Sequence, residues 1–294
     1  MAVDAAPLAP AASDNRAAAG YFLLGVLVST GMVYLIKTLG QEFTPFQIML
    51  ARGAVMAVLL APFALRRRAL PPALNGAPWL MAVRALTTFG GQAFGIAAIA
   101  ALPLAQAQSI SFAKGFFVAG LAVAILNERV DARRWAAIAI GFVGVLAALE
   151  PGGGLSPGVL YALASAACFA ASTIMVKQLT READSLTLMV WGAVGQAVLS
   201  APFAALHWRT PEGQDWLFLG LLGVLAIALQ SAMLAAYRRG DVSALAPLDY
   251  TRLLTGAAVG FLAFGEVPST AVIAGSVLIV AANLLLITRP QTNR

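Results

Sequence analysis

The feature that most constrains the fold of this chain is a succession of ten apolar segments, each about twenty residues long. A helix of about 20 residues crosses a hydrocarbon core about 30 Å thick, so each segment is long enough to span a bilayer. The segments are too long and too uniformly apolar for barrel strands, and the links between them are mostly too short for a soluble domain. An all-α integral membrane protein is therefore predicted. Its spans 1 to 10 are placed at residues 18–37, 46–65, 79–100, 103–126, 134–149, 156–178, 185–206, 215–236, 242–264 and 269–288.

Composition agrees with this class and limits what the ends of the chain can do. Of the 294 residues, 60% are hydrophobic and 11% charged, far outside the range of soluble domains. Residues 1–17 are predicted to be a disordered cytoplasmic tail, because they lack the basic start and short apolar stretch of a signal peptide. Residues 289–294 are predicted as a second cytoplasmic tail. Cys168 is the only cysteine, so neither a disulfide within the chain nor a cysteine-based metal site is expected, and no cofactor is predicted.

Basic residues are distributed unequally between the two sides of a ten-span path. One side holds Arg16, Arg66, Arg67, Arg68, Arg129, Arg133, Arg134, Lys177, Arg181, Arg238, Arg239, Arg289 and Arg294. The other side holds only Lys37 and Arg209. The positive-inside rule therefore predicts that both termini are cytoplasmic. The basicity is explained by topology, so nucleic acid is not an expected partner.

The chain contains an internal repeat. Residues 57–64 read AVLLAPFA and residues 197–204 read AVLSAPFA, an offset of 140. The same or nearly the same offset relates further pairs: Lys37 and Lys177, Phe112 and Tyr250, Lys114 and Arg252, Glu128 and Glu266. Repeats of five spans each are predicted at residues 18–150 and 155–288. Because five is odd, the second repeat must be inverted in the membrane, an arrangement typical of secondary transporters.

Several motifs give a family resemblance. They are FQIMLAR (46–52), SFAKGFF (111–117), LNERV (126–130), PLDYTRLL (247–254) and FGEVP (264–268). With ten spans in two repeats, the chain resembles the EamA-type branch of the drug/metabolite transporter superfamily. Two departures are VSTGMV (28–33) in place of a Trp–Gly/Ser pair, and Gly115 where many relatives have proline.

The resemblance implies a multi-pass protein of the bacterial inner membrane. It also implies transport of a small molecule such as an amino acid, a vitamin or a nucleoside-like compound, in either direction. A proton as the coupling ion is implied only by the family, because the one histidine, His207, lies at a span end. The oligomeric state is left open between monomer and homodimer.

Two cations lie near mid-depth of their spans. Lys114 is 11 residues beyond Pro103, about 16 Å along a helix, and Arg252 is ten residues past Val242. A charge at this depth costs roughly 2.5–3.5 kcal/mol on insertion scales, so it indicates function by default. Two interpretations are open: the cations hold an anionic group of a substrate in a central cavity, or they satisfy helix-end carbonyls or a carboxylate. Asp249, three residues before Arg252, is the candidate carboxylate.

The charge balance of the spans points to the kind of substrate. Arg52, Arg84, Lys114 and Arg252 lie inside the spans, with Asp249 as the only acid well inside. Arg52 and Arg84 are near span ends, where they could instead snorkel or cap a helix. An anionic or zwitterionic metabolite would complete the balance, whereas a lipophilic cation would be repelled.

The predicted substrate-binding set combines these charges with neighbouring polar and aromatic residues of spans 4 and 9. The set is Lys114, Arg252, Tyr250, Gln108, Phe112, Asp249, Arg84 and Arg52. Phe116, Tyr161, Trp191, Gln92, Gln106, Gln196 and Gln230 are further candidates, for which packing or helix linkage is the alternative.

The function predicted from these features is secondary active transport by alternating access. No phosphate-binding Walker motif is present, which argues against an ATP-driven pump. An efflux exporter of drugs or amino acids is the alternative. A membrane-embedded enzyme and a channel are remote alternatives, because the chain offers no nucleophile with a base, no carboxylate pair and no filter-like loop.

Overall fold

The computed structural model describes residues 15–66, 78–126, 132–148, 156–179, 185–239 and 245–287. These residues form helices joined by short links. The helices are α1 (Asn15–Leu39), α2 (Pro45–Arg66), α3 (Pro78–Ala101), α4 (Leu104–Ser111), α5 (Ala113–Leu126), α6 (Ala132–Ala148), α7 (Pro157–Leu179), α8 (Ser185–Leu206), α9 (Asp215–Arg239), a short 3₁₀ helix (Ala246–Tyr250), α10 (Thr251–Phe264) and α11 (Thr270–Ile287).

The helices coincide closely with the ten predicted spans, with two refinements. Span 4 is divided into α4 and α5, and span 9 is divided into the 3₁₀ helix and α10. Helix α1 begins slightly before the predicted first span. Residues 1–14 and 288–294, which include most of both predicted tails, lie outside the described residues.

Four of the described helices are long and apolar enough to cross a membrane by length and composition. They are Arg16–Leu39, Pro45–Arg66, Met189–Leu206 and Asp215–Arg239. Shorter apolar helical stretches at Ala85–Ala101, Ile138–Ala148, Pro157–Thr173 and Thr270–Ala282 accompany them. Large apolar side chains such as Leu27, Leu65 and Leu262 are mostly exposed, as expected where lipid replaces water.

Helices from the two halves of the chain pair with one another. Helix α3 packs along α7 and α1 packs along α9, while α2 packs along α8 and α6 along α11. In the sequence repeat, α1 corresponds to α7, α2 to α8, α3 to α9 and α6 to α11. Exchanging each helix for its counterpart converts the α3–α7 pair into the α9–α1 pair. The same exchange leaves the α2–α8 and α6–α11 pairs unchanged. These four main helix pairs are therefore equivalent under exchange of the two halves.

Small residues permit the closest of these approaches. A Cβ added to Gly144 of α6 would lie 2.9 Å from the carbonyl oxygen of Gly275 in α11. On α3, a Cβ added to Gly91 would lie 3.0 Å from the ring of Phe169 in α7. The glycine clusters at 90–95 and 141–144 thus let helices approach closely, as the sequence predicts.

Candidate functional site

A cavity of about 710 Å³ lies in the middle of the bundle. Helices α1, α3, α4, α5, α7, α9 and α10 contribute to its wall, together with the 3₁₀ helix and Arg52 of α2. Seven of the eight predicted substrate-binding residues line it: Arg52, Gln108, Phe112, Lys114, Asp249, Tyr250 and Arg252. The structure therefore brings them to one place, and their binding of a substrate stays a prediction. Arg84 lies in α3, and its side chain is outside the described part of the structure.

The interruption between α4 and α5 places Lys114 at the cavity wall. At Phe112 the backbone follows a 3₁₀-type turn, in which the Phe112 N–H donates to the carbonyl of Ser109 at 3.2 Å. The hydroxyl of Ser111 donates to the carbonyl of Gln108 at 2.6 Å, which satisfies a carbonyl near the break. Irregular backbone at this depth is tolerated where it lines a cavity. The interruption places Phe112 and Lys114 on the cavity wall.

The second interruption delivers Arg252. Pro247 stands at the start of the 3₁₀ helix, which passes into α10 at Thr251. The Thr251 hydroxyl donates to the carbonyl of Leu248 at 2.6 Å. The two interruptions meet, because the rings of Phe112 and Tyr250 lie 5.3 Å apart, centroid to centroid, at an angle of 34°. These two aromatic residues are counterparts in the sequence repeat.

Lys114 is the cavity cation with the least compensation. Its ammonium lies 5.9 Å from the centroid of the Phe169 ring, a distance at which a cation is attracted to the ring face. It is also attracted by the charge of Asp249 and repelled by that of Arg252. Within the described residues it makes no ion pair of its own. The structural alternative, a lysine that satisfies helix-end carbonyls, has no contact to support it here.

Arg252 does have the partner that the sequence suggests. Its Nε lies 2.8 Å from Oδ1 of Asp249, three residues earlier, although the contact is not aligned as a hydrogen bond. Both side chains remain partly accessible, at 31% and 39%. The pair neutralises itself and leaves Lys114 unmatched.

Arg52 joins three helices beside the cavity. Its Nη2 donates to the side-chain carbonyls of Gln92 in α3 and of Gln196 in α8, the latter at 2.8 Å. Gln196 in turn donates to the carbonyl of Met49 at 2.9 Å. No carboxylate among the described residues pairs with Arg52, and its buried Nε has no hydrogen-bond partner. Snorkelling to a surface, one of the predicted alternatives, is therefore not what this arginine does.

Some of the further candidates lie away from the cavity. Trp191, Gln230 and Tyr161 are exposed, and the ring of Tyr161 stacks on Phe94 at 6.2 Å. Gln106 links helices by donating to the carbonyl of Ala148 at 3.0 Å. Phe116 is buried against Gly141. Packing or helix linkage describes the observed contacts of Tyr161, Gln106 and Phe116. None of the five residues is among those that line the cavity.

Sequence reasoning missed other residues of the wall. Phe169 and Ser165 of α7 face the cavity, as do Phe22 and Tyr237, whose rings pack edge to face at 6.2 Å. The sequence signal for Phe169 and Ser165 is a pair of glycines one helical turn apart in α3. Gly91 closely faces Phe169, and Gly95 closely faces Ser165. No comparable sequence signal marks Phe22 or Tyr237.

A bundle of apolar helices around a central charged cavity is typical of a polytopic membrane protein with an internal cavity. Comparison with known proteins gives the family. Residues 16–149 and residues 156–288 each match the EamA-like transporter family. An S-adenosylmethionine uptake transporter of Rickettsia felis is 28% identical over 269 residues, which cover 91% of each chain.

Two further comparisons agree with this assignment. A riboflavin transporter of Rhizobium johnstonii is 31% identical over 232 residues, covering 76% of this chain and 75% of the relative. A protein crystal structure with 20% sequence identity superposes with a TM-score of 0.61, over 92% of this chain and 96% of the other, and supports the fold alone. The chain belongs to the EamA-like transporter family, with the family domain present twice. It is a multi-pass metabolite transporter and not an enzyme.

Proposed function

We propose that the protein is an alternating-access carrier for a small organic metabolite that bears a carboxylate or another anionic group, alone or within a zwitterion. The observation that carries the proposal is Lys114, a cation facing the central cavity without a partner acid of its own. Arg52, Lys114 and Arg252 line the described wall against the single acid Asp249. An anionic ligand would complete this balance.

The electrostatic attraction between Lys114 and an anionic group of a ligand is large enough to hold the ligand in the cavity. Two unit charges 4 Å apart attract by about 4 kcal/mol at an effective dielectric constant of 20, a value suited to partly buried sites. Because Asp249 is already paired with Arg252, most of this attraction is available to a ligand at Lys114. A lipophilic cation would be repelled by the same wall.

The packing of the helices supports alternating access. The helix pairs are equivalent under exchange of the two halves, and the repeat counterparts Phe112 and Tyr250 meet at the cavity. Carriers built from inverted repeats bind substrate near the midplane at the repeat interface and open alternately to either side. We infer that the two halves of this chain are such repeats, and that the cavity is the site to which both sides gain access.

The aromatic residues suggest a second part of the ligand. Phe112 and Tyr250 each lie two residues before a cation, Lys114 and Arg252, so a ligand held by its carboxylate could place a ring or another flat group against them. Among the relatives, one is named for S-adenosylmethionine and one for riboflavin, and both compounds contain a fused-ring system. Import is favoured over the exporter alternative, because the first of these relatives is named an uptake transporter.

Arg52 supplies a second binding point in this proposal. Its guanidinium is fixed by Gln92 and Gln196, so little side-chain entropy is lost when a ligand group approaches. A carbonyl or a second anionic group of the ligand is the chemistry that it would accept.

A ligand screen followed by an uptake measurement tests the proposal. Purified protein would be heated with amino acids, flavins, nucleosides and S-adenosyl compounds, and ligands that raise the melting temperature would be assayed for uptake into proteoliposomes. The expected result is stabilisation and uptake by compounds with an anionic group, lost in Lys114→Met. Stabilisation by lipophilic cations alone would contradict the proposed class of substrate.

A further inference from the structure

A buried ion pair that the proposed site does not use lies next to residues at one end of the cavity wall. Lys37, near the end of α1, is only 8% exposed, and its Nζ forms an ion pair with Oε1 of Glu266. The same ammonium donates to the carbonyl of Leu102 at 2.5 Å. The second carboxylate oxygen of Glu266 accepts the N–H of Leu104 at 2.7 Å. Two charged side chains thus join three segments: α1, the link between α3 and α4, and the chain just after α10.

The backbone after α10 is shaped to present this carboxylate. Gly265 adopts φ 66°, a left-handed conformation that favours glycine, and the N–H of Glu266 donates back to the carbonyl of Gly260 at 2.9 Å. A Cβ added to Gly260 would lie 2.8 Å from Oε2 of Glu266. The glycine at 260 therefore leaves the space that the carboxylate occupies.

This cluster lies directly beyond the last residues of the cavity wall. Ile36, Ile99 and Ala107 line the cavity at this end, which we name the Lys37 end of the bundle. Lys37 follows Ile36, and Leu102 and Leu104 lie on the chain between the other two. Leu102 is 5% exposed and Leu104 is fully buried. The backbone groups that the two charged side chains join are therefore buried at the Lys37 end.

We propose that Lys37, Glu266 and the backbone of Leu102 and Leu104 form a latch that closes the Lys37 end of the cavity and opens once in each transport cycle. This inference rests on the proposed alternating-access function, for which access must be withdrawn from one side at a time. The positive-inside distribution predicts that this end faces outside.

The chemistry of the latch suits a contact that must break repeatedly. In the closed state the mutual attraction and the two backbone bonds offset the desolvation of both charges. When this end opens, water enters and solvates the separated ions. Their hydration then offsets much of the attraction that is lost when the ion pair breaks. An apolar plug of the same size would gain nothing from water on opening. The latch therefore holds the closed state without a large penalty for the open one.

Accessibility of a reporter cysteine tests the latch without any substrate. In a Cys168→Ala background, Val33→Cys places a thiol on the cavity wall in α1, one turn from Lys37. A membrane-impermeant maleimide would be applied from the face at the Lys37 end. We expect Lys37→Met and Glu266→Gln each to raise the labelling rate several-fold. An unchanged rate in both variants would overturn the proposal.

An exposed ion pair at the same end provides the matched control. Arg209 and Glu42 pair at 2.9 Å with side chains 58% and 50% exposed. Arg209→Ala should leave the labelling of Val33→Cys unchanged. Equal increases in this control and in the latch variants would mean general loosening and would also overturn the latch.

A cross-link measures the opposite effect, because it holds the Lys37 end closed instead of loosening it. Lys37→Cys with Glu266→Cys, joined by a short bis-thiosulfonate reagent, should stop uptake, and a reductant should restore it. Continued uptake by the cross-linked protein would show that this end need not open. Failure of the proposed substrate site looks different, because Lys114→Met should lose uptake while the labelling of Val33→Cys stays normal.

Discussion

Each interior cation of the described bundle is compensated differently. Lys37 is matched by Glu266, Arg252 by Asp249, and Arg52 by the carbonyls of two glutamines. Lys114 has only the face of an aromatic ring and the distant charge of Asp249. Because an uncompensated buried charge is the costliest, Lys114 is the cation that gains most from a ligand.

The first prediction concerns Lys114 itself. Lys114→Met keeps the length of the side chain and removes the charge, so a hydrogen bond to an anionic group is lost. Such bonds contribute about 1.5–3 kcal/mol, which corresponds to about 10- to 150-fold weaker binding of a transported ligand. Ligand-dependent thermal shifts would measure this change. The exposed Arg209→Ala is the control that should bind normally, and unaltered affinity in Lys114→Met would contradict the proposed anchor.

The second prediction uses the Arg252–Asp249 pair. Arg252→Gln leaves the Asp249 carboxylate unpaired beside the cavity, where it repels an anionic ligand. We expect uptake to fall further than in Arg52→Gln, whose glutamine neighbours are neutral. The double variant Arg252→Gln, Asp249→Asn should regain part of the lost uptake, because the repelling charge is gone. An uptake rate in the double variant no higher than in Arg252→Gln would show that Asp249 does not act through this repulsion.

Some helices of the bundle are continuous, whereas two spans are interrupted by a short stretch of 3₁₀-type backbone. The span that holds Lys114 and the span that holds Arg252 both change to 3₁₀-type backbone just before the cation, whereas α1, α2, α8 and α9 run unbroken for more than twenty residues. Hydroxyls of Ser111 and Thr251 donate to nearby carbonyls at these points. The interruptions turn helix surface into cavity wall.

The third prediction concerns the crossing of α6 and α11. Gly144→Ala would place a methyl group against the backbone of Gly275, and backbone cannot move aside as a flexible side chain can. Overpacking of this kind costs about 1–3 kcal/mol, so the melting temperature in detergent should fall. Gly220→Ala in α9 is the matched control, since nothing lies within 4 Å of a Cβ added there. Its melting temperature should stay the same or rise, because alanine favours helix over glycine. Equal stability of the two variants would show that the α6–α11 contact is looser than described.

The whole molecule combines two halves whose four main helix pairs are equivalent under exchange, with the cavity lined by both halves and the Lys37–Glu266 pair at one end. Its family is shown by two matches that together cover nearly all of the chain. The opposite orientation of the two halves and the sidedness of the termini remain predictions. The first depends on the odd number of spans in each half, and the second on the distribution of basic residues along the ten-span path.

The fourth prediction tests this topology. Single cysteines at Arg67 and near the C-terminus, in a Cys168→Ala background, should be labelled by an impermeant reagent from the same face of the membrane. A cysteine at Arg209 should be labelled from the opposite face. Whole cells and inverted vesicles distinguish the two. Labelling of Arg67→Cys and the C-terminal cysteine from opposite faces would overturn the ten-span path.

What the sequence by itself determined is the set of spans and the family. A helix needs about twenty consecutive apolar residues to cross a bilayer, and such a run can be recognised within one segment of the sequence. The ends of the helices therefore lie close to their predicted places. The positions of Lys114 and Arg252 within their apolar segments are equally local, and so is the pairing of Arg252 with Asp249 three residues away.

The tertiary structure decided which distant groups meet. Nothing in the sequence around Lys37 distinguishes it from a surface lysine, and nothing in the sequence pairs it with Glu266. Arg52 looked like a residue near a span end, yet it is fixed by amides of two other helices. Such contacts depend on how helices rotate and cross, and that is set by the packing of glycines and large side chains from both halves at once. Apolar length is a property of one segment, whereas a binding cavity is a property of many.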